Sequence, residues 1–90
     1  MPSLFSIFGY KVYFWSNENG EPVHVHICKG NPKSNATKVW LTSSSGAILA
    51  NNSSKIPNKD LNKILKFIAL NHNNICIEWN NRFGYISFYA

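Results

Sequence analysis

Ninety residues, 44% of them hydrophobic, make one domain with material for a single core. Eight Lys and one Arg against Glu18, Glu21, Asp60 and Glu78 give a formal charge of +5, which favours a polyanion or an acidic partner protein over a cationic ligand. So few acids argue against paired-carboxylate catalysis and magnesium cages, two separated cysteines argue against a disulfide framework, and no apolar run is long enough to span a bilayer.

In chain order, Met1-Pro2-Ser3 leads into an apolar stretch too short and too uncharged for a signal peptide. Tyr10 to Trp15 is aromatic and β-branched and reads as a strand entering the turn Ser16-Asn17-Glu18-Asn19-Gly20. Asn19-Gly20 is a strong hairpin signal, because both central residues of a type I′ turn need positive φ. A turn there sets Phe14 opposite Val25, Val12 opposite Ile27, Trp15 opposite His24, Tyr13 opposite His26 and Lys11 opposite Cys28. Glu18 then opposes Glu21, a mild argument against this register that leaves a slightly wider loop open. Opposed residues share a face, so one side collects Val12, Phe14, Val23, Val25 and Ile27. The other collects Lys11, Tyr13, Trp15, His24, His26 and Cys28, and a one-residue slip would mix the two sets.

Lys29 to Asn35 is loop by composition, and Thr37 to Thr42 resumes alternation, with Lys38 and Trp40 on one face and Val39 and Leu41 on the other. Ser43 to Gly46 turns into a short strand, Ala47 to Ala50, followed by a polar linker, Asn51 to Lys55. From Pro57 the period changes. Leu61, Ile64, Leu65 and Ile68 form a helical stripe, with Asn58 placed to cap it and Asp60 suited to its first turn. Asn71 to Asn74 breaks this helix. A second one, with Ile75, Glu78 and Trp79 on one side, runs to about Arg82 and ends at Gly84. Tyr85 to Tyr89 is a last strand or a docked tail.

The expected architecture is therefore α+β in a single domain, residues 1–90. An antiparallel sheet of three to five strands (4–50) carries two C-terminal helices (57–82) on one face, with a strand or tail over 84–90. The His24/His26 face is expected opposite the face that the helices cover.

Three kinds of chemistry fit the row His24, His26, Cys28. Two imidazoles on alternate strand residues lie about 7 Å apart and can act as acid and base in RNA cleavage, with Lys11 or Lys38 steadying phosphate charge. That makes a metal-independent endoribonuclease, with His24, His26 and Lys11 catalytic and with no cofactor. The same face, with Tyr13, Trp15, Lys38 and Trp40, alternates flat rings and positive charge, which suits unpaired bases and their phosphates. As a metal site the row would need a third ligand such as His72 or Cys76, and no second ligand pair shows fixed spacing, so a metal-independent fold is expected. Against all three stands ordinary packing of the histidines on Trp15 and Tyr13, with Trp15 and Trp40 covered by the segment Tyr85 to Tyr89. No phosphate loop, nucleophile elbow or zinc-protease motif is present.

The chain resembles a bacterial family of small proteins, the domain of unknown function numbered 4160. The likeness lies in Met1-Pro2, Phe8-Gly9, Val12-Tyr13-Phe14, the signature Glu21-Pro22-Val23-His24-Val25-His26, Trp40-Leu41, the helix Asp60 to Leu65, and Glu78-Trp79-Asn80, over about residues 1–83. The chain departs from that pattern in the Lys29 to Asn35 loop and the Gly84 to Ala90 tail. The resemblance implies a component of a toxin–antitoxin module with a partner protein encoded nearby, and it brings no catalytic residues with it. The leading expectation is such a component, cytoplasmic, binding or cleaving RNA. The alternatives are a non-enzymatic module that pairs with an acidic protein, and a metal-binding domain.

Overall fold

The computed structural model describes residues 3–15, 18, 20–30 and 35–90. Met1-Pro2, the Ser16-Asn17 approach to the hairpin turn, Asn19, and positions 31–34 of the Lys29 to Asn35 loop lie outside the described residues. Five strands form one antiparallel meander in sequence order: β1 (Ser3–Ile7), β2 (Tyr10–Tyr13), β3 (His24–Lys29), β4 (Thr37–Leu41) and β5 (Ala47–Asn51). Two helices follow, α1 (Asn58–Leu70) and α2 (His72–Phe83). The α+β class is as expected from the sequence.

The β2–β3 register is the one the hairpin arithmetic predicts, with Val12 opposite Ile27, Tyr13 opposite His26 and Lys11 opposite Cys28. Gly20 has φ +94°, as the expected turn requires. Strand β1 is an addition to the predicted elements. It reaches β2 through Phe8-Gly9, with Ile7 opposite Tyr10 and both turn residues at positive φ (+52° and +81°). A type I′ turn asks for that backbone, and Phe in its first position disguises it in the sequence.

Alternation along the strands puts Tyr10, Val12, Val25, Ile27, Val39 and Leu41 on one face, buried against Leu61, Ile64 and Ile68 of α1 and Ile75 and Trp79 of α2. Leu65 is only partly buried, and Glu78 is exposed rather than packed beside Trp79. Asn58 is the first helical residue and not the cap. Pro57 holds that position, with its carbonyl accepting from the Leu61 amide at 2.8 Å and no side-chain cap present. Proline is already fixed near helical φ and has no N–H to satisfy, so it starts the helix without a polar cap. Asp60 lies in the first turn and accepts a hydrogen bond from Tyr10 Oη at 3.0 Å. Helix α2 ends at Gly84 with φ +79°, a left-handed C-cap that a side chain would strain.

Residues 84–90 form a docked tail and not a sixth strand. Ser87 O accepts from the Val23 amide at 2.9 Å, Ala90 O accepts from the Ser43 amide at 2.9 Å, and Tyr85 Oη accepts from the Gly20 amide. Tyr89 stacks on Trp40 with centroids 4.7 Å apart and planes 6° from parallel, and Phe88 lies parallel to His72 at 6.1 Å. The tail therefore ties the end of α2 to the start of β3 and the end of β4. Among the described residues no helix is long and apolar enough to cross a membrane.

Candidate functional site

His24, His26 and Cys28 leave β3 on the side away from Val25 and Ile27, as strand alternation demands. Their cross-strand neighbours build the rest of that face. Tyr13 on β2 and Lys38 on β4 flank His26, Trp40 lies opposite His24, and Lys11 lies opposite Cys28.

The residue that organises the face is Glu18, in the connection between β2 and β3. Its Oε1 accepts the Trp15 backbone N–H at 2.6 Å, while Oε2 lies 2.6 Å from Nε2 of His24 and 2.8 Å from Nε2 of His26. Burial pushes the Glu18 carboxyl up, but hydrogen bonds from both histidines and the Trp15 amide outweigh it and hold the pKa down at about 2. Glu18 is an anion at any ordinary pH.

The two histidines are not equivalent. His24 is wholly buried, with its ring 5.0 Å from that of His26, 5.5 Å from Trp40 and 5.1 Å from Trp79. Its Nδ1 is 2.9 Å from the Pro22 carbonyl, which can only accept, so Nδ1 carries a proton. The His26 side chain keeps 14% of its surface in contact with solvent and is the imidazole that a ligand can reach. The contact of His24 with Trp79 corrects the expectation that both histidines stand clear of the helical side. His24 is the first residue of β3, and there Trp79 of α2, packed on Phe14 at 5.0 Å, also meets the imidazole. The Trp79 Nε1 proton has no acceptor among the described residues.

Tyr13 is wholly buried, edge-on to Trp15 at 5.3 Å and 5.5 Å from the His26 ring, and forms the floor of the site. Trp15 is partly buried beside it. Lys38 pairs with Glu21 at 3.0 Å and sits 4.2 Å over the Trp40 ring, which Tyr89 also covers. Lys11 is half-buried on the same face. Cys28 belongs to the face but not to the cluster, since its thiol turns to the Gly30 carbonyl, 3.9 Å away. His72 and Cys76 are elsewhere. His72 Nε2 donates to Thr42 O at 2.6 Å, and its Nδ1 lies 3.7 Å from the Cys76 sulfur, whose pKa burial raises.

Glu18 is the member of the candidate site that sequence reasoning misses. Pairing arithmetic sets it against Glu21, whereas the two carboxylates diverge, Glu18 to the histidines and Glu21 to Lys38. An acid six residues before a His-x-His strand, in the loop that returns to it, is the signal that could have found it. Among the described residues, the donor atoms of Glu18, His24 and His26 all lie within 4.8 Å of one another.

A family model described as Domain of unknown function (DUF4160) matches residues 9–80. The chain belongs to this family. The matched span takes in β2 to β5, α1, most of α2 and all of Glu18, His24 and His26, while β1 and the tail fall outside it. Among curated proteins and solved structures none matches.

Proposed function

We propose that this protein binds RNA on the outer sheet face and acts on the phosphodiester backbone at the Glu18–His24–His26 cluster, as a cytoplasmic component of a toxin–antitoxin-type module. The observation that supports this reading is the reachable edge of His26, anchored by the Glu18 anion and flanked across the strands by Lys38. Lys38 lies over Trp40 and pairs with the half-exposed Glu21, and such pairs are worth about 0–1 kcal/mol, so a phosphate displaces the carboxylate at little cost. Lys11 adds a second cation, and Trp15 offers a ring to an unpaired base. Trp40 takes a base only if Tyr89 leaves it.

In cleavage, the His26 imidazole accepts the proton of a ribose 2′-hydroxyl as its oxygen bonds to phosphorus, and returns a proton to the 5′-oxygen as the bond from phosphorus to that oxygen breaks, leaving a cyclic phosphate and a free 5′-hydroxyl. Lys38 and Lys11 steady the added charge on phosphorus. The test is incubation of the purified chain with end-labelled single-stranded RNA and DNA of one sequence. RNA should be cut to a cyclic phosphate, DNA bound but uncut, and His26→Ala should slow cutting by about 10²–10⁴-fold. RNA left whole, or cut equally by His26→Ala, overturns the catalytic part.

A second reading, a module that pairs with an acidic protein encoded nearby, is favoured by β5. This edge strand leaves Ile48 and Leu49 exposed at 42% and 38%, on a chain with charge +5.

A further inference from the structure

We propose that Glu18 Oε2, His24 Nε2 and His26 Nε2 are three ligands of a divalent transition-metal ion, zinc foremost, with the fourth position open on the His26 side. The inference goes beyond the RNA reading. It uses the same residues but stands on their donor geometry, whether or not RNA is bound.

His24 gives its Nδ1 proton to the Pro22 carbonyl at 2.9 Å, so its Nε2 can meet the Glu18 carboxylate at 2.6 Å only through a second proton or a metal ion. His26 Nε2 comes within 2.8 Å of the same oxygen. A neutral His26 can donate an Nε2 proton to that oxygen, so it is the His24–Glu18 contact that calls for positive charge. A second proton on His24 is one source, at the cost of charging a ring with no exposure to water. A single dication answers all three lone pairs at once.

The surroundings are those of a built ligand set. Metal-bound histidines usually donate their second ring proton to a carbonyl or carboxylate, and the Pro22 carbonyl takes that part for His24. The Trp15 amide fixes the other oxygen of Glu18 at 2.6 Å. Tyr13, Trp40 and Trp79 wall the imidazoles with aromatic rings, while the partly open His26 edge leaves room for water or a substrate oxygen. Two imidazoles and one carboxylate with an open position suit zinc and other borderline ions, whereas magnesium and calcium ask for all-oxygen sets. Ligands about 2.0–2.1 Å from a tetrahedral ion stand roughly 3.3 Å apart, so each imidazole nitrogen would draw back from the Glu18 oxygen by about half an ångström or a little more on loading. Water held by such an ion is acidified toward neutral pH, which would supply the base that RNA cleavage needs.

The experiment uses the full chain, stripped with a chelator and dialysed, with zinc, cobalt(II) or magnesium added and no RNA present. One zinc per chain should bind by calorimetry and raise the melting temperature, and millimolar magnesium should do neither. Cobalt(II) should give visible ligand-field bands without the intense near-ultraviolet absorption of a thiolate ligand. Glu18→Gln and His26→Ala should each weaken zinc by at least 10- to 100-fold, the loss typical even of supporting residues. Cys76→Ser should bind as the unaltered chain does. Failure of the folded, unaltered chain to take up stoichiometric zinc overturns the proposal. So does a thiolate band with cobalt, a loss confined to Cys76→Ser, or full affinity in Glu18→Gln and His26→Ala. If either of those variants fails to melt cooperatively, the cobalt spectrum of the unaltered chain decides alone. RNA binding is scored separately, so one account can fail while the other stands.

Discussion

Glu18 and His24 are six residues apart in the chain, and their side chains meet at 2.6 Å where the imidazole has no contact with water. The loop between β2 and β3 is therefore part of the outer face and not a neutral connection. In metal-free protein this contact has a definite pH signature. The Glu18 carboxyl, at 4.5 when unfolded and about 2 when folded, contributes stability in full above its unfolded value and loses it as pH falls from about 5 toward 2. The contribution at neutral pH is at most about 3 kcal/mol. Urea unfolding across this range should show the decline in the unaltered chain and a flatter profile in Glu18→Gln, which starts lower at pH 7.

Core burial makes a prediction independent of the site. Ile64 and Ile68 are fully buried between α1 and the sheet, so Ile64→Ala or Ile68→Ala should cost about 2–5 kcal/mol. Asn62→Ala on the exposed side should stay within about 0.5 kcal/mol. Trp79→Phe should cost less than Trp79→Ala, because it keeps a ring packed on Phe14 and His24 and gives up only an indole N–H with no acceptor among the described residues. Equilibrium unfolding measures all five variants.

Much of the fold could be read from local pattern, and the site only in part. Period-2 alternation and a glycine turn were enough to place Val12 opposite Ile27 and Tyr13 opposite His26, because a slip would have put valines in water. The stripe Leu61, Ile64, Ile68 likewise announced α1. Strand β1 was hidden because Phe8 adopts the positive φ usually left to Asn or Gly. The cover of Trp40 by the tail was one of the readings that the sequence left open, and Tyr89 provides it, whereas the edge contact of Trp79 with His24 had no local signal. Glu18 escaped for a related reason, since pairing rules describe strands and this carboxylate acts from a loop.

The tail makes its own prediction. Tyr89 occupies the Trp40 ring face that a base would use, in a stack worth about 0.5–1.5 kcal/mol. Tyr89→Ala should lower stability by that amount and raise affinity for single-stranded RNA. Paired unfolding and binding titrations check both directions. A fall in RNA affinity would show that Tyr89 itself holds the ligand.

Salt should govern RNA binding. With three to five phosphate contacts, affinity for a labelled single-stranded oligonucleotide should fall about 10- to 100-fold between 50 and 200 mM salt. Trp15→Ala should cost about 1–3 kcal/mol if a base stacks there. Lys63→Ala should change little, since Lys63 is exposed on α1 with its ammonium 5.4 Å from the Phe8 ring, away from the outer face.

Where the ligand sits is the central claim, and the imidazole resonances of the three histidines report it directly. Single-stranded RNA titrated into chelator-treated, ¹⁵N-labelled protein should shift His26 most, His24 through their shared carboxylate, and His72 hardly at all. Movement centred on His72 and α2, or on the amides of β5 with both site histidines unchanged, would contradict an RNA site at Glu18, His24 and His26.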